Sequence, residues 1–280
     1  MIFLKKIYKL IGTGFTYEQY YESMNLALKK LNNGHAMLHY PYYGSESDSF
    51  FQAQKNLTDY CISLLDNLEN KKILEIGCGN GIQAFHINAN YKPSKITGID
   101  LNTANIEIAN NEKKNSNIKN VHFYVGDAQN LINIPSNSID TVLNIESAFH
   151  YPDKQAFLHE VYRILKPGGE FLIADILSKR KRGFKLWSKS MIYNFWDKTC
   201  YDEGFQKSYL EIRYEEDITC QVKKGWNLYH KWMPKIEKKD FFQNVAFRLF
   251  YYINVKLNLY FLNNKQQYQI FVGYKSAAAA

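Results

Sequence analysis

Gly77, Gly79 and Gly81 stand at alternate positions directly behind the apolar run Ile73-Leu74-Glu75-Ile76. Three carboxylates keep the same company: Glu75 closes that run, Asp100 closes the next one, and Asp127 stands just past the third. Glycine in such a turn permits positive φ and lets backbone amides approach a ligand closely. In an open parallel sheet the ligand lies beyond the carboxyl ends of the strands, where strand order reverses. The spacing G-x-G-x-G departs from the G-x-G-x-x-G of dinucleotide sites, and a carboxylate at position 75 would repel a pyrophosphate. It suits a ligand with an ammonium group and no phosphate. Asp100 can accept from both hydroxyls of a ribose, and Asp127 from an adenine amino group. Ribose, adenine and a cationic amino acid together describe S-adenosylmethionine (SAM). Aspartates after strands also cap turns, so each of these two, taken singly, carries both readings.

Glu146 and His150 follow the fourth apolar run, on the same rim as the glycine turn. Methyl transfer from a sulfonium requires an aligned nucleophile and exclusion of water, and an alcohol or phenol acceptor must also lose a proton. An imidazole titrating near ~6.5 suits that task at neutral pH, which makes His150 the candidate base. The alternative is a loop histidine packed on Tyr151 and Pro152. Glu146 could orient base or acceptor, or form a surface ion pair. Cys78 reads as a small residue filling a tight place in the glycine turn. The four cysteines form no CxxC pair, and His86, His122, His159 and His230 do not gather with acids or cysteines at ligand spacing. No metal is expected.

These residues need a frame. Ile73–Ile76, Lys95–Ile99, Val121–Val125, Ile139–Asn144 and Glu170–Asp175 read as strands. Helical stretches separate them, from the glycine turn to about Ala89, over Thr103–Lys114 and over Asp153–Leu165, the last stopped by Lys166-Pro167-Gly168-Gly169. Strands alternating with helices imply a doubly wound, Rossmann-like α/β fold: a mostly parallel sheet of seven strands with helices on both faces. Leu210–Ile218 and Gln267–Tyr274 supply the last two strands. Residues 1–55 read as a helical lid segment, with a helix over Thr16–Leu31 and the loop Tyr40-Pro41-Tyr42-Tyr43. Residues 56–177 form the core, opening on a helix over Asn56–Leu68. Residues 178–276 hold an aromatic-rich, helical insertion after the fifth strand, helical again over Trp226–Leu262, and the closing strands. Ala277 to Ala280 read as an added tail.

The chain has 280 residues, 46% of them hydrophobic, and a net charge of +8. That allows one large domain with a substantial core. The positive balance favours anionic partners, of which phosphorylated metabolites and lipid surfaces fit as well as nucleic acid. No apolar run reaches the ~18 residues a membrane span needs. Ile2, Phe3, Leu4, Ile7, Tyr8, Leu10 and Ile11 share one face of a short helix with Lys5, Lys6 and Lys9 set apart. Such a helix either packs on its own domain or lies on an anionic membrane. The expected location is cytoplasmic, with peripheral membrane contact as the second possibility. The basic run Lys179-Arg180-Lys181-Arg182 reads as a solvated loop, or as a contact for phosphate or anionic lipid.

LEIGCGNG (Leu74–Gly81), GIDLN (Gly98–Asn102), GDAQNL (Gly126–Leu131), SIDTVLNIESAFHYPD (Ser138–Asp153) and EVYRILKPGGEFLIADIL (Glu160–Leu177) together resemble the successive motifs of class I SAM-dependent methyltransferases. The resemblance covers Asn56 to Leu177 and is greatest to small-molecule members of the sterol, phthiotriol and sugar O-methyltransferase type. It implies that Glu75, Gly77, Cys78 and Gly79 line the methionine part of SAM. It places Asp100 and Leu101 on ribose and adenine, Asp127 and Ala128 on the adenine edge, and Asn144 and Ile145 near the sulfonium. It also implies that His150 and Asp175 work together on the acceptor. Acceptor selectivity then falls to Tyr42 or Tyr43, folding over the cofactor, and to the insertion with Trp187. The expected reaction is methylation of a small, hydrophobic or lipid-like molecule at oxygen, with carbon close behind. The competing expectations are an N-methyltransferase of a phosphoethanolamine-type substrate, a nucleic-acid methyltransferase and a non-catalytic SAM-binding protein. The nucleic-acid reading is disfavoured, because Asn144-Ile145-Glu146-Ser147 lacks the Asn-Pro-Pro-Tyr pattern that grips a flipped base.

Overall fold

The computed structural model describes residues 17–32, 34–187, 192–228, 252 and 255–277. The Ile2–Ile11 face, most of the stretch between Leu228 and residue 255, and all of the tail but Ala277 lie outside the described residues. The chain opens with α1 (Tyr17–Asn32) and α2 (Phe50–Ser63). The core follows as β1 (Lys72–Ile76), α3 (Ile82–Tyr91), β2 (Lys95–Asp100), α4 (Thr103–Ser116), β3 (Val121–Val125) and β4 (Ile139–Ile145). A 3-10 turn (Ala148–His150) leads into α5 (Lys154–Ile164) and β5 (Leu165–Ser178). Then come β6 (Phe184–Trp187), β7 (Ile192–Phe195), α6 (Lys198–Lys207), β8 (Leu210–Asp217), α7 (Thr219–Leu228) and, after helical residues 255–264, β9 (Gln266–Lys275).

Seven strands form one sheet in the order β3-β2-β1-β4-β5-β9-β8. The first five run parallel, and β9 is antiparallel to both β5 and β8. Alternate residues of β5 enter different apolar clusters: Leu172 and Ala174 on one face, Phe171 and Ile173 on the other. Burial on both faces explains why the strands read as continuous apolar runs. The chain leaves β1 towards β2 and β3, then returns to β4 on the other side of β1. The crevice of the fold therefore opens above β1 and β4, next to the glycine turn.

Two elements differ from the sequence reading. Lys166-Pro167-Gly168-Gly169 does not separate a helix from a strand: β5 begins at Leu165 and runs through it. Leu165 pairs with Ile139 and Glu170 with Thr141, so a bulge absorbs the Pro-Gly segment inside the strand, with Gly168 at φ +76°. The insertion after β5 is not purely helical either. It opens as an antiparallel hairpin, β6 on β7, and turns helical only at Lys198, where Asp197 caps α6 by accepting from Cys200 N–H at 2.8 Å. Asn194 of β7 fixes the hairpin to the core by donating to the carbonyls of Tyr151 and Pro152 at 3.0 and 3.1 Å. Farther upstream, Ser49 caps α2, so position 55 falls inside a helix whose Leu57 and Cys61 belong to the main core. Among the described residues, no helix is long and apolar enough to cross a membrane.

Candidate active site

The glycine turn between β1 and α3 is shaped by what surrounds it. Gly77 sits at φ +75°, and a Cβ there would come within 2.1 Å of Ser147 Oγ. Gly81 sits at φ +78°, with Phe123 Cζ 2.6 Å from where its Cβ would stand. Neither position accepts a side chain. Gly77→Ala should therefore cost ~2 kcal/mol or more of stability, seen as a fall of ~4–8 °C in melting temperature, and should abolish cofactor binding.

Asp100 organises the turn and also lines the cavity beside it. One carboxylate oxygen accepts the Gly79 N–H at 2.9 Å and the other the Asn102 N–H at 2.8 Å. Burial raises its pKa, against the pull of those two amides. Glu75 is 2% exposed, and its Oε2 has no hydrogen-bond partner among the described residues. Burial, reinforced by the charge of Asp100, pushes its pKa up to about 8. A buried carboxyl with an unpartnered oxygen at a ligand turn is suited to receive a cation.

Glu75, Gly77, Cys78, Gly79, Asp100 and Ile145 line one cavity, and the same cavity reaches Glu146, Ser147 and His150. Glu146 is held in the left-handed region, φ +54°, and its Oε1 accepts the Tyr40 N–H at 2.7 Å. It is no surface ion pair: burial, with some repulsion from Asp175, pushes its pKa up to about 8. His150 ends the 3-10 turn, with its ring 4.2 Å from that of Phe149 and 5.2 Å from that of Tyr193. Its Nε2 is 2.9 Å from the Tyr21 hydroxyl, so with the ring proton on Nδ1 it accepts from that hydroxyl.

The roof is made by residues the sequence reading passed over. Tyr21 of α1 and the segment Met37-Leu38-His39 cover the cavity, with Leu38 Cδ1 3.1 Å from where a Cβ of Gly79 would stand. Asn25 of α1 donates to Asn105 Oδ1 and accepts from Asn80 Nδ2, both at 2.8 Å. Gln54 Nε2 holds the segment through the carbonyls of Met37 and His39 at 2.7 Å each. The one sequence signal for this was a set of asparagines at positions that helical packing would give to apolar residues. Free space beneath the roof is about 50 Å³, against ~300–1,000 Å³ for typical ligand pockets, so the roof must lift to admit a cofactor.

Other expected site residues stand elsewhere. Tyr42 stacks on Tyr60 with ring centres 4.9 Å apart, and Tyr43 is buried against Gly225. Both rings join the packing around α2 and α7 instead of a lid. Asp127 uses Oδ1 to accept from the backbone and side chain of Gln129, Ala128 packs in the core, and Leu101 is exposed; none lines the cavity. Asn144 is fully buried near the end of β4 and donates to Ile76 O at 2.9 Å, tying that strand to the end of β1. Asp175 does not end its strand, because β5 continues to Ser178. Its carboxylate is buried and serves Phe149 N–H, Lys154 Nζ and the Tyr201 hydroxyl. Trp187 closes β6, and its side chain lies outside the described residues.

Residues 67–240 match a family described as a methyltransferase domain. The chain belongs to that family. It is 39% identical over 131 residues to the fatty-acid O-methyltransferase of Mycolicibacterium smegmatis, covering 47% of this chain and 46% of the relative. Against the phthiotriol/phenolphthiotriol dimycocerosates methyltransferase of Mycobacterium leprae it is 39% identical over 117 residues, or 42% of each chain. The chain thus matches just under half the length of these relatives. Among solved structures, the cyclase SpnF superposes with a TM-score of 0.75 at 20% identity, over 95% of this chain and 98% of that one. At that identity the likeness speaks for the fold alone.

Proposed function

We propose that this protein is an enzyme that transfers a methyl group from SAM to a small, hydrophobic or lipid-like acceptor, at oxygen. The observation that carries the reading is the shared cavity: a carboxyl with an unpartnered oxygen beside a glycine turn and a histidine against aromatic rings line the same space. The names of the two relatives, one acting on fatty acids and one on phthiotriol lipids, support the class of acceptor. When bound, SAM supplies a methyl group already activated for in-line displacement. Glu75 would hold its ammonium group and Asp100 a ribose hydroxyl. His150 takes the proton from the acceptor oxygen at Nε2, the atom now held by Tyr21. Phe149 and Tyr193 back the imidazole with aromatic rings, and α1 with Leu38 keeps water out. Tyr21→Phe removes the hydroxyl that competes with the acceptor for Nε2 and should raise turnover by up to ~5-fold, the worth of one hydrogen bond, at unchanged cofactor affinity.

The test is incubation with isotopically labelled SAM and a panel of long-chain alcohols, fatty acids and phenols, with the labelled product identified by mass. Label transferred to a panel member supports the reading. Label found only in nucleic acid, or no transfer with intact cofactor binding, would overturn it. An acceptor of this class is met at a bilayer, and the exposed run Lys179 to Arg182 suits an anionic surface. We therefore place the protein in the cytoplasm, in peripheral contact with membrane, which cell fractionation checks.

A further inference from the structure

Lys154 is completely buried. It is the first residue of α5, and Asp153 before it caps the helix by accepting from Ala156 N–H at 2.9 Å. Its Nζ donates to Asp175 Oδ2 at 2.9 Å and lies 5.1 Å from the centre of the Tyr201 ring and 5.8 Å from that of Trp196. Tyr201, on α6, donates its hydroxyl to the same oxygen. The other oxygen, Oδ1, accepts the Phe149 N–H at 3.0 Å, one residue before His150. A buried ion pair is a poor stabiliser, since apolar replacement of both partners is often neutral or better. What an apolar pair cannot do is accept the Phe149 amide.

We infer that Lys154, Asp175 and Tyr201 form a positioning cluster for His150. Lys154 and Tyr201 fix one oxygen of Asp175, the other oxygen fixes the Phe149 peptide, and that peptide sets where the imidazole stands in the cavity. Asp175 thus acts through the backbone and not on the ring. Phe149 and Tyr193, which stack with Phe195 and with each other at 5.5–6.1 Å, pack against the imidazole. The inference rests on the methyl-transfer reading for its rate measurement only; the placement of the imidazole can be followed without it.

Two double variants of the full chain separate the cluster's charge from its geometry. Lys154→Met with Asp175→Asn removes both charges and keeps an oxygen for the Phe149 amide. Lys154→Met with Asp175→Leu removes that oxygen as well. Each is followed by thermal melting, by SAM calorimetry, by NMR titration of His150 (assigned with His150→Asn), and by the rate on the best acceptor of the panel. The Asn pair should stay within about threefold of wild type. The Leu pair should be slower by about tenfold, with a displaced His150 titration, unchanged SAM affinity and a melting point close to that of the Asn pair. Equal rates and equal His150 titrations in the two pairs would overturn the inference, as would a loss of rate that merely tracks melting. Should the Leu pair fail to fold, Tyr201→Phe decides: its His150 titration must move, and an unmoved one is fatal. If wild type methylates no acceptor, the functional reading fails while the NMR comparison still judges the cluster.

Discussion

Glu75→Gln is expected to weaken SAM binding by ~30-fold or more and, at the same time, to stabilise the cofactor-free protein above pH 7. Both effects come from one buried carboxyl. Its pKa stands at about 8 in the folded chain, against an ordinary value of 4.5. Between those values the unfolded chain has released the proton and the folded chain retains it. Stability of the free protein therefore falls as pH rises through that window, by up to ~1.4 kcal/mol per pH unit for such a group. Below the window the effect is absent, and above pH 8 the penalty is complete. Glu146, also raised to about 8, acts in the same direction. A cation seated on Glu75 reverses the balance: the carboxyl ionises and gives up its proton, so affinity climbs with pH up to about 8. Glutamine keeps the shape and removes the charge, and losing one partner of a buried charge pair costs ~2–5 kcal/mol. Denaturant titration from pH 5 to 8.5 reads the stability slope. Calorimetry in buffers of different ionisation heat counts the proton. Wild-type affinity and proton release in the variant would remove Glu75 from the cofactor site.

His150→Ala should lower turnover by ~100-fold or more with SAM affinity intact. The separation is the informative part. Glu75, Asp100 and the glycine turn belong to β1, β2 and the loop before α3, whereas His150 belongs to the 3-10 turn after β4, so losing the imidazole should leave the cofactor's contacts untouched. The pH–rate profile should also lose its acidic limb, because the group that must be deprotonated to accept a proton is gone. A variant that methylates an alcohol at the normal rate would leave His150 without a catalytic part.

Much of the frame was legible beforehand, and the reasons are physical. The strands β1 to β4 stand within a residue or two of their expected limits, because burial on both faces makes each an apolar run bounded by turn residues. The fifth strand was cut short, since Pro167 and Gly168 give the same local signal in a bulge as after a helix. The hairpin β6–β7 was hidden because its aromatics suit either element, and only the pairing of Phe184 with Phe195 decides. Among the residues lining the cavity, Glu75, Gly77, Gly79 and Asp100 were legible because glycine spacing and carboxylates near strand ends mark the crevice of such a sheet. Tyr21, Leu38 and Asn25 could not, because their part depends on how α1 lies across the sheet. Tyr42 and Tyr43 mislead for the same reason: the sequence shows the rings but not that they pack on Tyr60 and Gly225.

The asparagine contacts of α1 have a consequence for ligand binding. One helix is tied to the glycine turn through Asn80, to the start of α4 through Asn105 and to the imidazole through Tyr21. Losing Tyr21's contact leaves the asparagine ties in place, but displacing the whole helix opens the glycine turn and the imidazole together. Binding of cofactor and of acceptor should accordingly be coupled, each shifting the affinity for the other, which calorimetry with and without the second ligand reads. Escape of the spent cofactor, which needs the same helix to swing clear, then becomes the natural bottleneck of the cycle.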